Sequence, residues 1–460
     1  MRAPACIGLR AEHCLAEESR VGTGVARRHR SRASAQESRV GPYALESHPT
    51  AARRLIRHQR IAPEHIAPDR RPTGGLPQAR TATGNDSREC GRRRRALAFV
   101  VTDIPLFRPH TIRSVTFRNR LWVTPMCQYS VDAFDGVPTD WHLVHLGSFA
   151  RGGAGLVMTE ATGISPEGRI TAEDTGIWNE AQRDAWARIV AFIHSQGAVA
   201  GIQLQHAGRK ASVYREWDTR KGTRPLAEGG WQTLAPSAVA FEGYAAPVAL
   251  DEAGIQQVVA DFAAAARRAV DAGFDLVEIH AAHGYLMHQF LSPLANQRTD
   301  DWGGSLENRA RLLLDTVTAV RKEVGDDVPV FVRFSATDWV PGGWDEHQTA
   351  TVAGWAREAG ADLFDISSGG VVPAMRIPLG PGYQVPLAAH VRHTSRVEVN
   401  AVGLITEAEQ ANQIVADGQA DAVMMGRELL RDPHFPLRAA HQLGADIDYW
   451  PPQYLRARRS

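Results

Sequence analysis

The sequence predicts an α/β fold, a (β/α)8 TIM barrel preceded by a disordered N-terminal extension. Three observations predict it. Eight short apolar runs recur after about residue 105, amphipathic stretches at helical spacing lie between them, and residues 1–97 show neither pattern. The strand runs are Leu121–Met126, Gly155–Ala161, Val199–His206, Leu276–His280, Val328–Phe334, Leu363–Ser367, Val397–Leu404 and Ala422–Gly426. Each is mostly β-branched or apolar throughout, as a strand covered on both faces must be. The helical stretches include Glu180–Gln196, Asp251–Ala272, Ser305–Val324 and Thr406–Asp417. Asp251 and Thr406 are the expected N-caps, and Gly273 and Gly418 the expected C-terminal stops. A doubly wound open sheet is the competing architecture. It would carry a glycine-rich nucleotide turn after its first strand, where this chain has Thr124-Pro125-Met126-Cys127.

Charge divides the chain in the same place. Residues 1–100 contain 20 Arg, no Lys and nine acids, and the remainder 32 basic against 42 acidic residues. The expected organisation is an Arg-rich extension over 1–100 and a barrel domain over 101–460. The extension reads as a basic arm, as a transit peptide weakened by Glu17, Glu18 and Glu37, or as an over-extended reading frame whose start lies near Val100 or Val101. The acidic body gives no reason to expect nucleic acid, and no apolar run is long enough to span a bilayer. Of Cys6, Cys14, Cys90 and Cys127, only the last lies in the body, so no disulfide framework is implied and a cytoplasmic location is expected.

In a TIM barrel the reactive groups sit at the C-terminal ends of the strands. There the sequence has Thr124, Cys127 and Tyr129, then Glu160-Ala161, Gln203 and His206, then His280, His283 and Tyr285, then Arg333, Gly403, and Gly426-Arg427. His280-Ala281-Ala282-His283 lacks the glutamate and the i, i+4 spacing of a helical zinc site, so no metal is expected. Two imidazoles can instead hold one carbonyl or nitro oxygen whose negative charge grows during hydride addition. A phenol at Tyr285 can supply a proton; its plain alternative is a partly buried core tyrosine. Arg333 ends a strand and needs an anion, either a flavin edge or a structural partner such as Glu278 or Asp365. Glycines at the ends of strands seven and eight, with Arg427, fit a phosphate.

The stretch His280-Ala281-Ala282-His283-Gly284-Tyr285-Leu286, continuing through Gln289-Phe290-Leu291-Ser292-Pro293 and Gly303-Gly304-Ser305-Leu306-Glu307-Asn308-Arg309, resembles the Old Yellow Enzyme family. Thr124-Pro125-Met126-Cys127-Gln128-Tyr129-Ser130 is similar to its thermophilic-like bacterial class II branch. The resemblance covers residues from about 105 onward. It implies an FMN-dependent ene-reductase that passes hydride from NADPH, or NADH, through the flavin to the β-carbon of an α,β-unsaturated carbonyl or nitro compound. It implies flavin contacts at Thr124, Pro125, Met126, Cys127, Ala161, Gln203, Arg333, Gly403, Gly426 and Arg427. It implies that His280 and His283 bind the substrate oxygen, that Tyr285 protonates, and that Tyr129 touches substrate. It implies a homo-oligomer, dimer or tetramer, in which Arg456 reaches a neighbouring subunit. Trp302 departs from the tyrosine expected there, and Trp339 adds bulk after strand five. Two other readings remain at this point: an FMN barrel oxidising α-hydroxy acids, and a non-catalytic module whose function lies in the basic arm.

Overall fold

The structure, a computed structural model, describes residues 103–373 and 375–458. The expected extension over 1–100, and with it the domain boundary near residue 100, lies outside the described residues. Eight parallel strands close into a barrel in strict chain order. They are β1 (Leu121–Val123), β2 (Leu156–Gly163), β3 (Val199–Gln205), β4 (Leu276–Ala281), β5 (Val330–Ser335), β6 (Leu363–Ser367), β7 (Glu398–Ala401) and β8 (Ala422–Met425). All eight expected runs are strands, with some ends trimmed and others extended by one or two residues, and the open-sheet alternative is excluded by the β8–β1 pairing of Met424 with Trp122.

The outer helices are α1 (Asp140–Arg151), α2 (Glu180–Ser195), α3 (Glu252–Ala272), α5 (Leu306–Val324), α6 (Glu346–Ala359), α7 (Val385–Ser395), α8 (Ala408–Ala416) and α10 (Phe435–Gln442). A short α4 (Leu286–Leu291) follows β4, and a short α9 (Arg427–Arg431) follows β8. Asp251 caps α3 by accepting from Gly254 N, and Gly273 ends that helix at φ +98°. The expectation for Thr406 is corrected. Helix α8 starts at Ala408 with Glu407 at its N-cap and no side-chain cap bond, because the Gly403–Thr406 segment is spent turning out of β7. Among the described residues no helix is long and apolar enough to cross a membrane.

Two hydrophobic cores follow from the twofold periodicity of the strands. Residues such as Val157, Ile202, Val277, Val332, Phe364 and Val423 pack outward beneath the helices. Their neighbours Trp122, Leu156, Leu276, Phe331, Leu363 and Met424 fill the barrel interior at its N-terminal end. A hairpin (His110–Ile112 with Val115–Phe117) plugs that end, with the Phe117 ring centroid 4.6 Å from Trp122 and 6.4 Å from Phe331. Burial of aromatic groups of this size stabilises a fold by roughly 2–3 kcal/mol each.

One step up each strand, the inward positions become polar. On β4 they run Leu276, Glu278, His280; on β5 Phe331, Arg333, Ser335; on β6 Leu363, Asp365, Ser367. The ladder between β2 and β3 slips by one residue, since Met158 pairs with Gly201 but Ala161 with Gln203. Thr159 occupies the slip and accepts from Gln203 N at 3.2 Å.

Candidate active site

A buried polar layer forms the floor of the C-terminal end. Arg333 Nε lies 2.9 Å from Asp365 Oδ2, and its Nη2 donates to Thr124 Oγ1 at 3.0 Å. Asn400 donates to the other oxygen of Asp365 at 2.6 Å, and Gln203 donates to Glu278 at 2.7 Å. The two readings of Arg333 are therefore not exclusive, because the guanidinium holds a structural partner and still reaches the rim of the site at Thr124. Burial and the Asp365 charge push the Glu278 carboxyl upward, so one cation faces a layer that need not hold two full negative charges. Glu278 fixes the plane of the Gln203 amide.

Above that floor stand the two histidines and the tyrosine. His280 Nε2 and His283 Nδ1 are 3.4 Å apart, so the two rings converge on one point. Their planes are nearly perpendicular, and Tyr285 packs edge-on to His280 with ring centroids 5.0 Å apart. Burial, then the Arg333 charge, holds both imidazoles well below the usual range, so both are neutral at pH 7. Burial holds the Tyr285 phenol well above its usual value, so it keeps its proton. His283 sits at φ +56°, in the left-handed region that costs a non-glycine residue about 1 kcal/mol. Three contacts hold it there. Its N–H donates to Ser335 Oγ at 2.9 Å, its carbonyl accepts from Lys210 Nζ at 2.9 Å, and its Nε2 meets Ser367 Oγ at 2.7 Å. Gly284 follows at φ +73°, pressed so closely on the Gly370 carbonyl that a Cβ would lie 2.1 Å from its oxygen.

Lys210 escaped the sequence reading. Its ammonium lies 5.1 Å from the centroid of the Tyr285 ring, and burial brings its pKa down to about 8. A signal was present, since it stands five residues beyond β3 in His206-Ala207-Gly208-Arg209-Lys210, beside the expected strand-end residues. Ser367 was read only as the last residue of a strand.

The β1 side supplies Cys127 and Tyr129. Glu160 accepts the backbone N–H of Gln128 at 2.8 Å, and its other oxygen is 2.9 Å from His142 Nε2 of α1. This buried pair fixes the segment that carries Cys127, and burial pushes the Cys127 thiol upward, so it is held as a thiol. Tyr129, at φ +48°, packs its ring at a tilt against Trp217, with centroids 5.8 Å apart. Cys127, Arg215 and Trp217 share the lining of an open cavity of about 770 Å³ at the mouth.

A second cavity of about 350 Å³ lies where a phosphate was expected, lined by Thr124, Met126, Gln384, Gly403, Gly426 and Arg427. A Cβ at Gly403, which has φ +122°, would come within 2.8 Å of Gln384 Nε2, and one at Gly426 within 3.0 Å of Thr124. A side chain at either position would press on the cradle wall, and with Ala161 as the small side chain opposite Gln203 the cradle fits FMN. Pro125 connects β1 to Met126 along the same rim. The structure thus brings together every expected site residue except Arg456, which is exposed on the C-terminal turn Pro452–Ala457. Trp302 is a packing residue, buried and donating to Glu252. Trp339 stands at φ +58° beside Gly369. Among the described residues no group of three or more His, Cys, Asp or Glu could hold a metal ion.

Comparison with known proteins agrees with this geometry. The profile of the NADH:flavin oxidoreductase / NADH oxidase family matches residues 105–446. An NADPH dehydrogenase of Listeria monocytogenes serotype 4a is 47% identical over 353 residues, covering 76% of this chain and 98% of that protein. Among solved structures, morphinone reductase has a TM-score of 0.62 at 31% identity, covering 76% of this chain and 92% of that one. The Old Yellow Enzyme homologue of Zymomonas mobilis has a TM-score of 0.62 at 29% identity, covering 77% and 99%. The chain belongs to the NADH:flavin oxidoreductase / NADH oxidase family, the Old Yellow Enzymes, and is an FMN-dependent oxidoreductase.

Proposed function

We propose that this oxidoreductase is an ene-reductase, reducing the C=C bond of α,β-unsaturated carbonyl or nitro compounds at the expense of NADPH or NADH. The observation that carries the reading is the convergence of His280 Nε2 and His283 Nδ1, two neutral ring nitrogens 3.4 Å apart at the open end of the barrel. Two N–H donors aimed at one point suit an acceptor oxygen that gains negative charge as the reaction proceeds. Neutral donors suit it because a cationic pair would bind carboxylates as readily as carbonyls. Tyr285, a protonated phenol against His280, is placed to deliver the proton to the α-carbon. When bound, FMN supplies the hydride it has taken from the nicotinamide. Thr124, Gln203, Arg333, Gly403, Gly426 and Arg427 would hold it, with Pro125, Met126, Cys127 and Ala161 against the ring. Tyr129 would border the substrate, and Arg456 would reach the site of a neighbouring subunit in a homo-oligomer. A cytoplasmic location belongs to the same reading.

Anaerobic reduction of the purified yellow protein by NADPH, followed by addition of 2-cyclohexenone, tests the proposal. The flavin absorbance is expected to return at a rate that saturates with enone concentration. Reoxidation by dioxygen with none by enones or nitroalkenes would overturn it.

A further inference from the structure

The paired imidazoles can grip an oxygen only if the nitrogens that face it both carry protons. For His280 the backbone decides. The Ala282 N–H approaches its Nδ1 at 3.3 Å, and an amide can only donate, so the ring proton of this neutral imidazole is on Nε2, facing His283. For His283 the deciding group is Ser367, whose Oγ is 2.7 Å from Nε2. A hydroxyl can donate or accept there, and the two choices give opposite tautomers.

The surroundings of Ser367 select between them. If it accepted from His283, its own proton would have to go to Gln384 Oε1, which is 3.4 Å away. That oxygen already accepts from Ser368 Oγ at 2.5 Å. Gln384 is itself pinned, since its Nε2 donates to the Val402 carbonyl at 2.9 Å. The short, open acceptor is His283 Nε2. We infer that Ser367 is a positioning residue whose hydroxyl donates to His283 Nε2 and so holds the ring as the tautomer protonated on Nδ1, the nitrogen facing His280. This rests on the reading that the two rings hold the acceptor's oxygen.

The separation between the rings agrees with two donors face to face. It is 3.4 Å, longer than the about 2.9–3.0 Å of a formed N–H···O bond. Neither ring satisfies the other, so the pair gains a hydrogen bond for each ring when an acceptor oxygen enters. Lys210 on the His283 carbonyl and Ser335 on its N–H keep the backbone from turning Nδ1 away. Gln384, whose Oε1 is taken up by Ser368 and so is not the acceptor for Ser367, is also a wall of the cradle that fits FMN.

Nitrogen NMR of flavin-loaded protein carrying isotope-labelled histidine reads the tautomer directly, with no substrate present. The wild type is expected to carry the His283 proton on Nδ1. Ser367→Ala is expected to shift it towards Nε2 while the visible spectrum shows FMN still bound, and Ser367→Thr, which keeps the hydroxyl, to restore it. In turnover with 2-cyclohexenone, Ser367→Ala is expected to raise KM about tenfold, the loss of one donor to the oxygen, with a smaller change in kcat. A wild-type proton on Nε2, or an unchanged tautomer in Ser367→Ala, would overturn the inference. Failure of enones to bind a wild type that shows the Nδ1 tautomer would instead count against the ene-reductase reading alone.

Discussion

At the N-terminal end of the barrel, Leu276, Phe331 and Leu363 are fully buried in one apolar cluster with Phe117 and Trp122. Two to four residues further along the same strands stand Arg333, Glu278, Asp365, His280 and Ser367, equally enclosed and almost all charged or hydrogen-bonding. The backbone is the same at both ends, and so is the degree of burial. What differs is the direction of dependence. The apolar end gains free energy from being buried. The polar end loses it unless every donor and acceptor is partnered, so that end is held together by specific pairs and left ready to bind. Stability and reactivity are separated along a strand by about two residues.

A crossed pair of substitutions would break this division if it is wrong. His280→Ala at the polar end is expected to lower kcat/KM for 2-cyclohexenone by roughly 10²–10³-fold, with little change in Tm. Phe331→Ala at the apolar end is expected to cost about 3–5 kcal/mol of stability, with kcat per folded, flavin-loaded molecule nearly unchanged. Steady-state kinetics and thermal denaturation on both variants check the pair. Equal losses of both properties in both variants would erase the distinction.

A smaller effect comes from pH. The folded-state pKa of Glu278 is raised above its ordinary 4.5, chiefly by burial. Its contribution to stability is therefore complete below that value and is lost as pH rises through the folded-state pKa. Gln cannot ionise. The Tm of Glu278→Gln relative to wild type is expected to move in the variant's favour between about pH 5 and about pH 8. A difference that is flat across that range would mean that Glu278 is not held protonated by its surroundings.

The smallest effect is expected from the basic extension. Deleting residues 1–99 should leave Tm and kcat/KM within experimental error, since the family match begins at residue 105. A loss of folding would show that the barrel depends on it.

The eight strands were legible because strands covered on both faces read as short, mostly apolar runs, and stretches such as Val330-Phe331-Val332 can be little else. Their outer helices were legible from caps such as Asp251. The candidate site was legible where it is contiguous in sequence, as in His280 to Tyr285. The partners that give those residues their chemistry were not. Ser367 is 84 residues from His283, Lys210 is 73, and Asp365 is 32 from Arg333. Barrel closure and stagger create those neighbours, and no local pattern reports a stagger. The plug hairpin from His110 to Phe117 was overlooked for a related reason. It is two three-residue strands, too short for their alternation to stand out.

The surplus residue in β2 has a consequence for the charge of the cavity. Side chains alternate along a strand, so an unbroken pleat through Met158 would have swung Glu160 inward and Ala161 outward. The added residue reverses the phase. Glu160 is delivered to His142 beneath the outer shell, and a methyl group takes the inward berth opposite Gln203. A regular pleat through Thr159, with no residue removed, would tip a third carboxylate into a chamber that already houses Glu278 and Asp365, with Arg333 as the cation of that layer. A single offset in one strand thereby keeps the chamber hospitable to an electron-rich ring.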